Sequence, residues 1–309
     1  MKKVIKIIGI VVIIAIIVIA ILLKILGNMP SVPEDYQNRI QTGGEIEAKY
    51  MASGSYDVSV YEETVWQGFS KYIIYYPVEL EAENKQYPVI VISNGSGTPL
   101  SKFPAVPKHF ASWGFIVIGT EEQNDWNGFS SEMCVRHLMR LNESKIIDEK
   151  ANRFYQKVDL KNVGIVGHSQ GGVGVFNAIT MYDNSTIYKA AVSLSPTNKP
   201  AAYALEWEYD LSKIHCPVML ISGEGGGDDW VVTGEQLKEI YDDIDNAKLM
   251  ARRKNTPHGD TLYSANGYVT AWFMWQLQSD EEAAKAFTGD RPEIKNNPLY
   301  QDQQINIED

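Results

Sequence analysis

Ser169 stands at the centre of the sequence Gly167-His168-Ser169-Gln170-Gly171, which follows a short apolar run rich in β-branched residues. Such a run is typical of a buried strand. The Gly-x-Ser-x-Gly spacing is that of a nucleophile elbow, a sharp turn from strand into helix that presents a serine hydroxyl above a sheet. Because this turn brings the residues two before and two after the serine nearly into contact, glycine fits best at both places. Ser169 is therefore the candidate nucleophile.

A serine nucleophile needs a base that takes its proton and an acid that orients this base. Where the nucleophile follows a strand in this way, the order along the chain is serine, acid, histidine. Asp228 and Asp229 follow a late apolar run, and His258 lies in a loop further on. The other four histidines precede the elbow, adjoin the serine or precede a strand. We therefore predict that His258 is the base and that either Asp228 or Asp229 is the acid.

The negative oxygen formed when a serine attacks an acyl group needs backbone N–H donors. The pattern predicts one donor directly after the nucleophile, at Gln170, and a second at Ser96 in the loop that follows the apolar run 88–93. The acidic residues Glu224, Asp228 and Asp229 lie close together, but they lack a recognisable metal-ligand spacing. No metal site is predicted.

Strands alternating with helices position these residues. Short apolar runs indicate strands near residues 88–93, 114–119, 163–166, 190–195, 217–222 and 247–251, with helical segments between most of them. This alternation predicts an α/β fold with a mostly parallel, doubly wound sheet flanked by helices. Ligand sites in such sheets lie at the carboxyl ends of the strands. The loops 94–98, 167–171, 223–230 and 255–260 all follow such ends.

Composition limits the possible partners. The chain has 309 residues, of which 44% are hydrophobic, and a net charge of −11. Residues 1–29 hold four lysines and no acid, so the remainder carries 24 Lys and Arg against 39 Asp and Glu, a net charge of −15. Nucleic acid is therefore not an expected partner.

The N-terminal segment resembles a membrane anchor. Lys2, Lys3 and Lys6 precede an uncharged run from Ile7 to Leu23, which is just long enough to cross a bilayer as a helix. The lysines favour a cytoplasmic N-terminus with the rest of the chain outside. Since the run exceeds a signal-peptide core and no Ala-x-Ala-like site follows it, residues 4–26 are predicted to be an uncleaved transmembrane helix. The alternative is a cleaved signal peptide and a secreted protein.

The predicted organisation has four parts. Residues 1–27 are the membrane anchor or signal peptide, residues 28–54 a linker with a lead-in helix, residues 55–287 the catalytic domain, and residues 288–309 a loosely held tail. About 20 residues separate the strand that ends at Ser195 from the one that starts at Pro217. A large cap domain is therefore not expected there.

The chain resembles an α/β-hydrolase of the branch that contains cutinase-like lipases, polyester hydrolases and dienelactone hydrolases. The resemblance covers about residues 85–280 and rests on Gly167 to Gly172, Ser112 to Val117, Pro217 to Asp229, Pro257-His258-Gly259 and the aromatic last helix. It implies a serine esterase that needs no cofactor. In the resembled family the acid is followed by mostly apolar residues that pack under the loop. Trp230-Val231-Val232 follow Asp229 directly, which favours Asp229 over Asp228.

Polyester hydrolases usually carry aromatic residues or Met where this chain has Ser96, Gln170 and Thr197. A small-molecule acyl ester of short to medium chain length is therefore the expected substrate rather than a polymer. Two alternatives remain open at this point. One is hydrolysis of another acyl bond, in a thioester, lactone or peptide, and the other is a non-catalytic binding module of the same fold.

Overall fold

Nine strands of the computed structural model form one central sheet. The structure describes residues 29–64, 71–147 and 149–307, together with the single positions 19 and 27. The strands are β1 (Val58–Thr64), β2 (Lys71–Pro77), β3 (Tyr87–Ser93), β4 (Ile116–Thr120), β5 (Ile146–Ile147), β6 (Lys150–Ala151), β7 (Val158–His168), β8 (Tyr188–Leu194), β9 (Val218–Ser222), β10 (Lys248–Arg253) and β11 (Tyr300–Asn306). Their order in the sheet is β1-β2-β4-β3-β7-β8-β9-β10-β11, and β5 and β6 form a separate two-stranded ladder.

The centre of this sheet is parallel, from β4 through β3, β7, β8 and β9 to β10. Antiparallel pairs occur where β1 meets β2, where β2 meets β4, and where β10 meets β11. The apolar runs that predicted the strands are buried on both faces, as central parallel strands require. Along β3, Ile90 and Ile92 belong to one hydrophobic core, and Val89 and Val91 belong to the core on the opposite face. The predicted doubly wound α/β architecture is confirmed.

Helices cover both faces of the sheet. They are α1 (Tyr36–Arg39), α2 (Glu45–Met51), α3 (Ala105–Ser112), α4 (Phe129–Glu143), α5 (Gln170–Met181), α6 (Lys199–Ala204), α7 (Asp228–Val231), α8 (Gly234–Asp242), α9 (His258–Ser264), α10 (Asn266–Gln278), α11 (Glu281–Ala284) and α12 (Glu293–Asn296). The segment between β8 and β9 contains only α6 and a 3₁₀ turn, Leu211–Lys213. No cap domain is inserted in that segment.

Residues 29–54 form part of the domain rather than a linker. Tyr36 and Tyr50 are fully buried in the core on one face of the sheet. Glu47 of α2 is also fully buried, and it pairs at 2.8 Å with Arg253 of β10. The prediction of a lead-in helix is correct for α2, but the expected linker is wrong, because these buried contacts join the segment to the far end of the chain.

The C-terminal segment is likewise held in place. Tyr300–Asn306 forms β11, which pairs antiparallel with β10. The prediction of a loosely held tail is wrong for these residues. The strand was not predicted because the sequence of this segment is polar and Gln-rich. An edge strand with one solvated side needs few apolar residues.

The predicted transmembrane segment, residues 4–26, lies outside the described residues apart from Ile19. In the part of the chain that the structure does describe, none of the helices combines the length and the apolar character needed to cross a bilayer.

Candidate active site

Ser169 occupies the turn between β7 and α5. Its backbone angles are φ 60° and ψ −121°, a strained combination for a residue with a side chain. A Cβ at Gly167 would lie 2.2 Å from the Gly171 carbonyl oxygen, and one at Gly171 would lie 2.2 Å from the carbonyl oxygen of Ser93. The chain therefore tolerates no larger residue at either flanking position, and the predicted nucleophile elbow is present.

His258 joins the serine to a carboxylate. Its Nε2 lies 2.9 Å from Oγ of Ser169, and its Nδ1 lies 2.7 Å from Oδ1 of Asp228. Because an ionised carboxylate can only accept, Nδ1 carries the proton and Nε2 is free to accept the serine hydroxyl hydrogen. Asp228 is fully buried, whereas the side chain of His258 is 23% exposed. This arrangement has the geometry of a Ser–His–Asp triad.

The structure corrects the choice of acid. The neighbouring Asp229 accepts a hydrogen bond from Arg252 at 2.7 Å and another from the Gly225 amide at 3.0 Å, and its side chain is 46% exposed. It forms neither a hydrogen bond nor an ion pair with His258. The second oxygen of Asp228 accepts from the Gly223 amide at 2.6 Å, so both of its oxygens are held. Asp228, the alternative choice of acid, occupies the position beside His258 that was expected for Asp229.

The error came from the local backbone. The choice of Asp229 rested on the apolar residues that follow it and took no account of the backbone before it. Gly225, Gly226 and Gly227 all have positive φ, of 77°, 53° and 90°, and the chain then enters α7 at Asp228. This turn directs the side chain of Asp228 toward His258. Trp230 was expected to pack beneath the loop; it is 91% exposed instead.

His168, the residue before Ser169, lies beside His258. Its Nε2–H donates to the carbonyl oxygen of His258 at 2.8 Å, and the two rings are 4.5 Å apart. Desolvation by burial, together with the nearby His258, lowers the pKa of His168 to about 3. His168 therefore stays neutral near neutral pH, and its ring supports the backbone of His258. Its adjacency to the nucleophile was visible in the sequence, but this contact was not.

The two predicted oxyanion donors flank the elbow. Ser96 lies in the exposed turn after β3, and Gln170 is the first residue of α5. Within the described chain neither backbone amide donates to a protein acceptor, which leaves both available to a ligand. The Ser96 turn lies against the elbow, because a Cβ at Gly95 would come within 2.9 Å of the His168 carbonyl oxygen.

A buried carboxylate that was not predicted from the sequence holds the end of β3, just before this turn. Asp125 accepts from Oγ of Ser93 at 2.8 Å, Oγ of Ser131 at 2.6 Å and the Ser130 amide at 2.8 Å. Burial raises the pKa of Asp125 to about 6, although these hydrogen bonds act in the opposite direction. The only signal in the sequence was an aspartate beyond the end of β4, followed by two serines. Among the described residues, no group of His, Cys, Asp and Glu is arranged to hold a metal ion.

The central sheet, the strained serine and the hydrogen-bonded chain from Ser169 through His258 to Asp228 define an α/β-hydrolase. The family model described as "PETase: PET hydrolase-like" matches residues 36–292, and the chain belongs to this family. The protein is accordingly an enzyme, a serine hydrolase of the esterase class. A comparison with curated proteins gave no match.

Proposed function

We propose that the protein hydrolyses small carboxylic esters with short to medium acyl chains through an acyl-enzyme on Ser169. The observation that carries this proposal is the contact of His258 with both Ser169, at 2.9 Å, and Asp228, at 2.7 Å. One histidine can then remove the serine proton while a buried carboxylate stabilises the resulting imidazolium.

The reaction has two halves. Oγ of Ser169 attacks the ester carbonyl carbon as Nε2 of His258 takes the hydroxyl proton, and the negative oxygen that forms is bound by the amides of Ser96 and Gln170. Collapse of this intermediate breaks the bond to the alkoxy oxygen, which leaves as the alcohol with the proton from His258. Water then attacks the acyl-enzyme by the same route, releasing the carboxylic acid and restoring the serine.

A small substrate in solution is supported by two features. Ser96, Gln170 and Thr197 stand where the resembled polyester hydrolases have aromatic residues or Met. The segment between β8 and β9 holds no cap. We therefore expect hydrolysis of short esters without a lipid interface and slower hydrolysis of long acyl chains, because an open groove desolvates them poorly. A sharp rise in rate above the solubility limit of the substrate would contradict this.

A fluorophosphonate probe, which reacts with activated serines, tests the chemistry. Wild-type protein should be labelled, and the label should be lost in Ser169→Ala but kept in Ser195→Ala, at the buried serine that directly follows β8. Absence of label on folded wild-type protein would overturn the proposal. Hydrolysis rates then decide among the acyl bonds; they are measured on matched oxygen esters, thioesters, lactones and peptides, and on a polyester film. The proposal requires the small oxygen ester to be hydrolysed fastest.

We further propose that residues 4–26 anchor the enzyme in the cell membrane, with its N-terminus cytoplasmic and the catalytic domain outside. The support is the lysine-flanked apolar run and the absence of an Ala-x-Ala-like cleavage site. Full-length protein should sediment with membranes. Protease added outside intact cells should cleave its catalytic domain. A soluble extracellular form that begins after Gly27 would instead establish the secreted alternative.

A further inference from the structure

Arg252 lies against the loop that carries the acid of the triad. It is the last residue but one of β10, and its side chain is 11% exposed. Each of its three guanidinium nitrogens contacts a different partner. Nη2 donates to Oδ1 of Asp229 at 2.7 Å, Nε donates to the Gly223 carbonyl oxygen at 3.3 Å, and Nη1 lies 3.6 Å from Oδ2 of Asp302 in β11. One side chain therefore joins both ends of the loop 223–229 to the edge strand.

The two loop residues that Arg252 contacts also fix the position of Asp228. Gly223 gives its carbonyl oxygen to Arg252 and its N–H to Oδ2 of Asp228, at 2.6 Å. Asp229 follows Asp228 directly, and its other oxygen accepts from the Gly225 amide at 3.0 Å. Asp228 is thus held through the residue after it and through the residue that binds its second oxygen.

The loop needs this support because its own backbone is permissive. Residues 225–227 are three consecutive glycines, and glycine loses more conformational freedom on ordering than any other residue. An error of about 1 Å in the position of a catalytic group can lower a rate about a hundredfold. By restricting both ends of the loop, Arg252 keeps Oδ1 of Asp228 at 2.7 Å from Nδ1 of His258.

A strained residue of β11 holds the other side of Arg252. Asp302 has φ 56°, a left-handed conformation that is uncommon for a residue with a side chain. It lies at the register shift between β10 and β11, where the pairing changes between Met250 and Arg252. Irregularities of this kind re-aim side chains near active sites. Strain that is kept beside the loop of a catalytic acid indicates a role in function.

The ion pairs of Arg252 add little to stability by themselves. The side chains of Asp229 and Asp302 are 46% and 49% exposed, and pairs with such exposed carboxylates contribute little. A lysine could form one of these pairs equally well, whereas holding three partners at once requires the planar fork of an arginine. The arginine therefore favours a positioning role over a merely structural one.

We propose that Arg252 is a positioning residue for the triad: by holding Gly223 and Asp229, it keeps Asp228 in place against His258. It acts through these neighbours, since within the described chain its nitrogens bond to neither Asp228 nor His258. This inference rests on the proposed esterase function, in which Asp228 stabilises the imidazolium of His258.

The first experiment measures kcat and KM of Arg252→Met on a short ester. Methionine keeps a stem of similar length but has no donor, so kcat should fall about tenfold or more while KM stays within about twofold. Arg252→Lys keeps the charge but cannot hold three partners, so its kcat should lie between those of Arg252→Met and wild type. A kcat of Arg252→Met within about twofold of wild type would overturn the proposal.

Arg153→Lys is the matched control for the loss of a guanidinium. Arg153 also contacts two partners, the Tyr76 hydroxyl and Glu81, but it lies in the segment before β7. Its kcat should stay within about twofold of wild type. An equal loss in Arg153→Lys and Arg252→Lys would show that the effect is not specific to the acid loop and would contradict the assignment.

A double-mutant cycle separates positioning from a general loss of structure. Once Asp228→Asn has removed the acid, adding Arg252→Met should change kcat by less than about twofold, because residues that act as a unit are not additive. A loss of the same factor in both backgrounds would overturn the proposal. Circular dichroism confirms folding, and Arg252→Lys replaces Arg252→Met in the cycle if the latter does not fold.

Fluorophosphonate labelling of Ser169 in the wild-type protein distinguishes the two failures. Labelled protein whose kcat does not respond to Arg252→Met refutes only the positioning role, whereas folded protein that is not labelled refutes the esterase. Asp229→Asn keeps one oxygen that can accept from Arg252, so it should lower kcat less than Arg252→Met does. The reverse order would contradict the contacts assigned to Arg252.

Discussion

Asp228 and Asp229 are adjacent in sequence, but their side chains contact different partners. Asp228 contacts His258 at 2.7 Å, whereas Asp229 contacts Arg252 at the same distance. The first carboxylate is fully buried and the second is half exposed. Their roles therefore differ, although their chemistry is the same.

Asp228→Asn should lower kcat by about 10³–10⁴-fold with little change in stability, because an amide in this place favours the wrong tautomer of His258. Asp229→Asn is the matched control and should change kcat by less than about tenfold. Steady-state rates on a short ester, with circular dichroism to confirm folding, check both. The opposite ranking would show that Asp229 is the acid in solution.

Gly171→Ala should disrupt the elbow, because the added methyl would lie 2.2 Å from the carbonyl oxygen of Ser93. We expect the free energy of unfolding to fall by about 3 kcal/mol or more, at the upper end of the range for an overpacked site, and labelling of Ser169 to be lost. Gly259→Ala is the control, since its methyl has open space. Urea unfolding compares the two, and equal stabilities would contradict the packing described for the turn.

Asp125 should make stability depend on pH with an unusual sign. Its pKa of about 6 in the folded protein exceeds the value near 3.9 in an unfolded chain, so the folded state binds the proton more tightly. Its stabilising contribution is therefore full below about pH 4 and is lost as the pH rises through about 6. The free energy of unfolding of wild type minus that of Asp125→Asn should fall by about 2 kcal/mol between pH 4 and pH 7.

Urea unfolding at each pH measures this difference, and the other titrating groups cancel because both proteins share them. Asp183→Asn, at a side chain that is 97% exposed, controls for the change in net charge and should show a flat difference. A difference for Asp125 that grows as the pH rises would mean that the carboxylate is stabilised in its charged form.

Glu47→Ala should destabilise the domain by about 3–5 kcal/mol, because it leaves the buried guanidinium of Arg253 without its carboxylate. Lys49→Ala on the same helix removes an exposed pair with Glu282 and should cost less than about 1 kcal/mol. Thermal and urea unfolding measure both. Equal effects would show that α2 is not tied to the sheet through Glu47.

The parts of the site that depend on local pattern could be predicted from the sequence. Ser169 was identified by its flanking glycines, and His258 by its place in the order of the chain. The register of the acid could not be predicted, since it depends on three successive glycines with positive φ. Asp125 was beyond prediction, because its significance comes from its contact with Ser93, which is distant in sequence.

The same distinction holds for the fold. The apolar runs of the central strands predicted the sheet, because burial on both faces leaves a continuous hydrophobic signal. The lead-in residues and β11 were misjudged because their attachment depends on distant partners. Arg253 is one of these partners, since it binds Glu47 and the Tyr300 hydroxyl at once.

β11 also protects the enzyme from self-association. β10, a largely buried strand, would present a row of unpaired N–H and C=O groups without it, and such an edge is a template for pairing with a second molecule. β11 covers that edge with a polar strand, and a register shift between Met250 and Arg252 makes the ladder irregular. Proteolytic loss of the last ten residues would therefore expose the edge of β10 and make the enzyme more prone to aggregate through its sheet.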